Sequence, residues 1–143
     1  MLKKLIAISV ILLAIAHGTG FAQSEQRTPL LTVKEIMNGI ITPATTTIWG
    51  AYQLETETQW QEVANAALAV IGAGDLLRAG GAGSGETVTA GQEGWQLANE
   101  QMLAAAREVL QAVEQRDEEA LSMVGNDALY PPCESCHQQY QNR

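Results

Sequence analysis

Residues 92–116 read QEGWQLANEQMLAAAREVLQAVEQR. Trp95, Ala98, Met102, Ala105, Ala106, Val109 and Val113 recur at steps of three and four, so that one apolar face runs the length of the stretch. Most of the remaining positions are glutamate, glutamine or arginine, which is the pattern of a helix buried on one side and wet on the other. A helix spanning Gln92 to Arg116 must bury that stripe against other elements, and the flanking sequence supplies them.

Upstream, Thr32-Val33-Lys34-Glu35 has the form of a capping box. The stripe behind it is Val33, Ile36, Met37, Ile40, Ile41, Ala44 and Ile48. Pro43 lies inside this run and should kink the helix near residues 39–42 or end it there. Thr58 to Gln61 repeats the capping pattern, ahead of Trp60, Val63, Ala64, Ala67, Leu68, Ile71 and then Leu76 or Leu77. The run Gly80-Gly81-Ala82-Gly83-Ser84-Gly85 reads as a flexible connection. It follows a helix and lacks a terminal Lys-Thr pair, so it is no phosphate loop. Downstream, Asp117-Glu118-Glu119 places negative charge where a helix dipole favours it, ahead of Ala120, Leu121, Val124, Ala128 and Leu129. Pro131-Pro132 should break this last segment, with Pro132 in the first turn of a short helix carrying Cys133 to Tyr140.

Four amphipathic segments with short connections and no strand predict an all-α protein, an antiparallel four-helix bundle. The alanines of the second and third segments predict close helix approach. They also leave space that a large flat cofactor in the core would fill.

Near the C-terminus stands Cys133-Glu134-Ser135-Cys136-His137, holding both cysteines of the chain. This is the CxxCH pattern of covalent c-type haem attachment: two thiols add to the two haem vinyl groups, and the adjacent imidazole is held beneath the iron. Two other readings of the thiols remain open, a redox dithiol and a structural disulfide. The first needs a βαβ context, and neither explains His137. A structural zinc site wants four ligands, and Cys133, Cys136 and His137 are three.

Residues 1–22 have the layout of a signal peptide. Lys3 and Lys4 precede an apolar core from Leu5 to Ala16 too short to span a bilayer, and Gly20-Phe21-Ala22 ends in small residues at the cleavage positions. Residues 23–143 then form one domain. The whole chain carries 8 Lys and Arg against 16 Asp and Glu. Loss of Lys3 and Lys4 makes the remainder more acidic still. Such a surface repels nucleic acid and anionic lipid, so neither these nor a stable membrane association is expected, and it suits either a redox partner with a basic patch or simple solubility.

In layout, and in its last dozen residues by motif, the chain resembles the class II c-type cytochromes, the cytochrome c prime family and its low-spin relatives. These carry CxxCH near the C-terminus on the last helix, and Tyr140 matches the family's usual ending. Trp95 is similar to a tryptophan before the family's third helix. The resemblance implies one covalent haem c, with Cys133 and Cys136 as tethers and His137 as proximal iron ligand. It implies a periplasmic location after export and electron transport as the role. It also implies dimerisation through the first two helices, which the alanine-rich stripe leaves open. Two departures bear on the haem surroundings. Gln141 stands where the family commonly has Arg or Lys, a cation that Arg143 would otherwise supply, and Pro131-Pro132 falls where a continuous helix is expected.

The family's distal residue comes from the first helix, and Met37 is the candidate. A thioether opposite His137 would raise the reduction potential and suit electron transfer. Without ligation by Met37, Val33, Ile36, Ile40 and Ile41 would wall an open site for NO or CO. Met102 and Met123 are expected to pack, and Lys34 to be solvated. No enzyme is expected. Peroxidase-like chemistry needs a distal acid–base group, and His137 is the only histidine after residue 22.

Overall fold

The computed structural model describes residues 28–141, which are helical and contain no strand. The proposed signal peptide, His17 and Arg143 lie outside the described residues. Helix α1 covers 33–49, in three consecutive pieces: α-helical Val33–Ile36, a π-helical turn Met37–Ile41, and α-helical Thr42–Trp49. Helix α2 is Glu57–Arg78, the short α3 is Glu86–Ala90, and α4 is Glu93–Gln115. Helix α5 covers 118–140, as Glu118–Met123, a second π-helical stretch Val124–Leu129, and Tyr130–Tyr140.

The long helices run antiparallel, as their cross-contacts show. Near one end of the α2–α4 pair, the Trp95 indole donates to the Leu77 carbonyl (2.8 Å) and Asn99 Nδ2 to that of Gly74 (2.9 Å). The last turn of α5 returns to the start of α4, where Tyr140 meets Trp95 edge-on with centroids 5.4 Å apart. The start of α1 meets the turn after α2, where Glu86 accepts from the backbone N–H of Val33 (3.0 Å) and of Gly83 (2.8 Å). The glycine-rich connection is therefore a hydrogen-bonded turn leading into α3, a helix the sequence reading missed. Gly80 and Gly85 take left-handed φ there, +85° and +78°.

Helix α4 has the expected bounds, with Gln92 and Arg116 as its caps and all seven expected face residues buried. The face of α2 is rotated from expectation. Ala66, Val70, Ala73 and Gly74 are buried with Trp60, Val63, Ala67 and Leu77, while Leu68 and Leu76 are exposed. Small residues turn inward because α4 lies close: a methyl group on Gly74 would come within 2.6 Å of Leu103 Cδ2. Leu68 and Leu76 fall outside that close contact. The capping box of α2 also sits two residues early, at Thr56 and Gln59. Two overlapping Thr-x-x-Gln patterns compete, and the earlier one gains extra helical bonds while burying Trp60 equally.

Neither proline site ends its helix. A proline lacks the N–H for the i−4 bond, and its ring crowds that carbonyl. Ahead of Pro43 and of Pro131, the chain widens by a π turn, with the Thr42 N–H reaching Met37 and the Tyr130 N–H reaching Gly125. The expected break at Pro131-Pro132 is thus replaced by a continuous helix with these prolines in the first turn of its last piece. The irregularity expected at residues 39–42 falls at Met37–Ile41.

The cap assignment is testable by chemical denaturation. Thr56→Ala should cost about 1 kcal/mol, while Thr58→Ala, on the exposed first turn, should change stability by less than about 0.5 kcal/mol.

Candidate functional site

On a helix, steps of three and four return to the same side, so the helical conformation of 130–140 places Cys133, Cys136 and His137 on one face. That face lines a cleft of about 750 Å³, counting its open mouth. Helix α1 contributes Met37, Ile41, Thr45 and Trp49 at regular steps of four, with Thr42 and Thr46 beside them. Helix α4 contributes Trp95, Ala98, Asn99 and Met102, and α2 reaches in with Leu77. The cleft thus joins every candidate site residue named from the sequence: Cys133, Cys136, His137 and Met37.

The lining is overwhelmingly apolar, and no Lys or Arg belongs to it. Two of its threonines turn their hydroxyls to the helix backbone. Thr45 donates to the Ile41 carbonyl (2.9 Å) and Thr46 to that of Thr42 (2.7 Å), so both hydroxyl donors serve the helix itself. Of the residues expected to wall an open distal site, Ile41 alone is in the lining; Val33, Ile36 and Ile40 are not. The π turn inserts a residue into the register, rotating the later part of α1 by about 100° and presenting threonines in place of isoleucines.

Apolar walls also set the state of the thiols. Burial, reinforced by the neighbouring Cys136, pushes the Cys133 thiol up to about 11, and burial likewise raises that of Cys136. Redox dithiols of the thioredoxin kind work through a lowered thiol pKa. The environment here acts in the opposite direction. Cys133 Sγ lies 3.1 Å from the Leu129 carbonyl, a group near the proline-interrupted part of α5. Among the described residues, no group of three or more His, Cys, Asp or Glu could hold a metal ion unaided. Met102 is buried as expected and also lines the cleft, whereas Met123 is 57% exposed and is not a packing residue. Lys34 is on the solvent side of α1. Glu118 is more than a helix-start charge: its carboxylate also accepts from the backbone of Gln53 and Leu54, closing the α1–α2 loop onto α5.

Asn99 and Trp49 are the site residues that sequence reading missed. Asn99 sits next to the apolar stripe of α4, where a polar residue carries no periodic signal of its own. Trp49 ends α1, 43% exposed, and its indole donates to the Gly125 carbonyl (2.9 Å) inside the π stretch of α5. Its ring meets Tyr130 edge-on at 6.3 Å.

No protein-family model, curated protein or solved structure matches this chain. Among the described residues, no helix is long and apolar enough to cross a membrane.

The raised thiol pKa has a direct consequence. In chain made without haem attachment, alkylation of Cys133 at pH 8 should be roughly a hundredfold slower than that of an unperturbed thiol, and should rise with pH toward about 11. Mass-resolved labelling with iodoacetamide across that range measures it; rapid modification at neutral pH would contradict the burial described.

Proposed function

We propose that this chain is an exported monohaem c-type cytochrome of class II type that carries electrons in the periplasm. The supporting observation is the convergence of Cys133, Cys136 and His137 from α5 and Met37 from α1 on one apolar cleft. The donor set fits haem c. Two half-buried thiols on one helix face would form the two thioethers, and the imidazole that follows them would be the proximal ligand. The thioether of Met37 would be the sixth ligand from the facing helix.

When bound, haem supplies a one-electron Fe(III)/Fe(II) couple. The protein's own contribution is holding, shielding and tuning. Helix α5 fixes both tethers and the proximal imidazole in one rigid register. Ile41, Ala98, Met102 and Trp95 keep water from the interior, and the absence of any Lys or Arg in the lining leaves charge on the cofactor uncompensated within the cleft. An excess of acidic groups over the rest of the surface would steer a partner bearing a basic patch.

A second reading is a five-coordinate haem protein that binds NO or CO. It is favoured by the hydroxyls of Thr45 and Thr46, which are spent on the α1 backbone and are not offered to a bound, polar O₂. Neither reading assigns an enzymatic activity.

Protein from a host with a cytochrome maturation system should show the mass of the chain plus one haem, with Cys133→Ser or Cys136→Ser leaving a single thioether. The wild type should take up CO slowly when reduced, and show a charge-transfer band at the red end of its oxidised spectrum. Met37→Ala should lose that band, lower the reduction potential and bind CO at once. Immediate CO binding by the wild type would select the gas-binding reading, and bare chain mass would dismiss both.

A further inference from the structure

Asn99 is a buried polar side chain of the cleft with an open valence. It is only 6% exposed and lines the cavity from α4. Its Nδ2 donates to the Gly74 carbonyl on α2, which fixes the amide's orientation, and its Oδ1 is buried with no hydrogen-bond partner. A buried amide oxygen left unmatched is costly, so the arrangement points to a donor arriving with whatever fills the cavity. Several nearby donors are already spent: Thr45 and Thr46 have given their hydroxyl hydrogens to α1, the Trp95 indole has given its own to Leu77, and the Trp49 indole has given its own to Gly125.

We propose that Asn99 is a positioning residue for the cofactor, its Oδ1 accepting a hydrogen bond from a carboxylic acid O–H of the haem. This rests on the haem reading above and extends it. The choice of donor follows from the chemistry of haem c. Its four pyrrole nitrogens are bound to iron and carry no hydrogen, its vinyl groups are consumed by the cysteines, and its remaining edge is methyl and methine. Two propionic acid groups are the only part able to donate, and only in the neutral form. The cleft favours that form, because its titratable lining groups are Cys133, Cys136 and His137, with no Lys or Arg to pair a carboxylate. A carboxamide with one N–H still free also offers donor and acceptor on the same group, the complement of a carboxylic acid. One carboxyl of the haem would therefore be held neutral at neutral pH by Asn99 of α4.

Infrared difference spectroscopy on the holoprotein tests this, reduced minus oxidised at pH 7, with haem carboxyls ¹³C-labelled through labelled 5-aminolevulinate. The expected result is a carboxylic acid C=O band that shifts with the label and with D₂O. It should be lost or displaced in Asn99→Leu and restored toward the wild-type position in Asn99→Ser, which keeps an acceptor. A label-sensitive carboxylate band with no carboxylic acid band in the wild type overturns the proposal, without needing either variant to fold. So does an acid band that Asn99→Leu leaves unmoved. If the purified chain carries no haem, the cytochrome reading fails and this inference fails with it; haem present without the acid band removes the Asn99 assignment alone.

Discussion

Prolines 43, 131 and 132 each remove a backbone donor from the middle of a helix, and the way the chain absorbs that loss governs the site. A helix interrupted at Pro43 would separate Met37 from Trp49, and one interrupted at Pro131 would let the cysteine-bearing turn swing free of the bundle. Instead a widened turn precedes each proline, with the Thr42 and Tyr130 N–H groups reaching back five residues. Continuity is kept and the register is changed. On α1 the change aligns Met37, Ile41, Thr45 and Trp49; on α5 it leads into the face bearing Cys133, Cys136 and His137.

These two irregular turns are also joined. The Trp49 indole, at the end of the reset helix, bonds the Gly125 carbonyl at the start of the other π stretch. Gly125 is buried against that ring, where a Cβ would stand 3.2 Å from Trp49 Cδ1. The rotation of α1 and that of α5 about the cleft are therefore coupled through Trp49, which bonds Gly125 and meets Tyr130 edge-on.

Around this, α2 and α4 act as the rigid half of the molecule. Alanines and Gly74 let them approach closely, and Asn99 and Trp95 bond across the gap to backbone carbonyls of α2. Close packing on that side leaves no room for a large group there. The apolar cleft lies instead between α1, α4 and α5, beside the thiols. Alanine content suggested vacant volume in the core, and the packing opens an apolar cleft beside the thiols.

The amino-acid sequence was sufficient for the all-α class, the bounds of α4, the capping box of α1 and the clustering of Cys133, Cys136 and His137 on one helix face. Each depends on local periodicity or on contacts within a few residues, which a linear pattern records. The buried face of α2, the continuity of α5 through Pro131-Pro132, the threonine wall of α1 and the exposure of Met123 were settled by tertiary packing. In an alanine-rich helix many faces are apolar enough to bury, and the choice falls to the neighbour that fits most closely. Asn99 belongs to the same class: an asparagine in a helix is unremarkable in one dimension, and acquires meaning only when Gly74 takes its N–H and the cleft faces its oxygen.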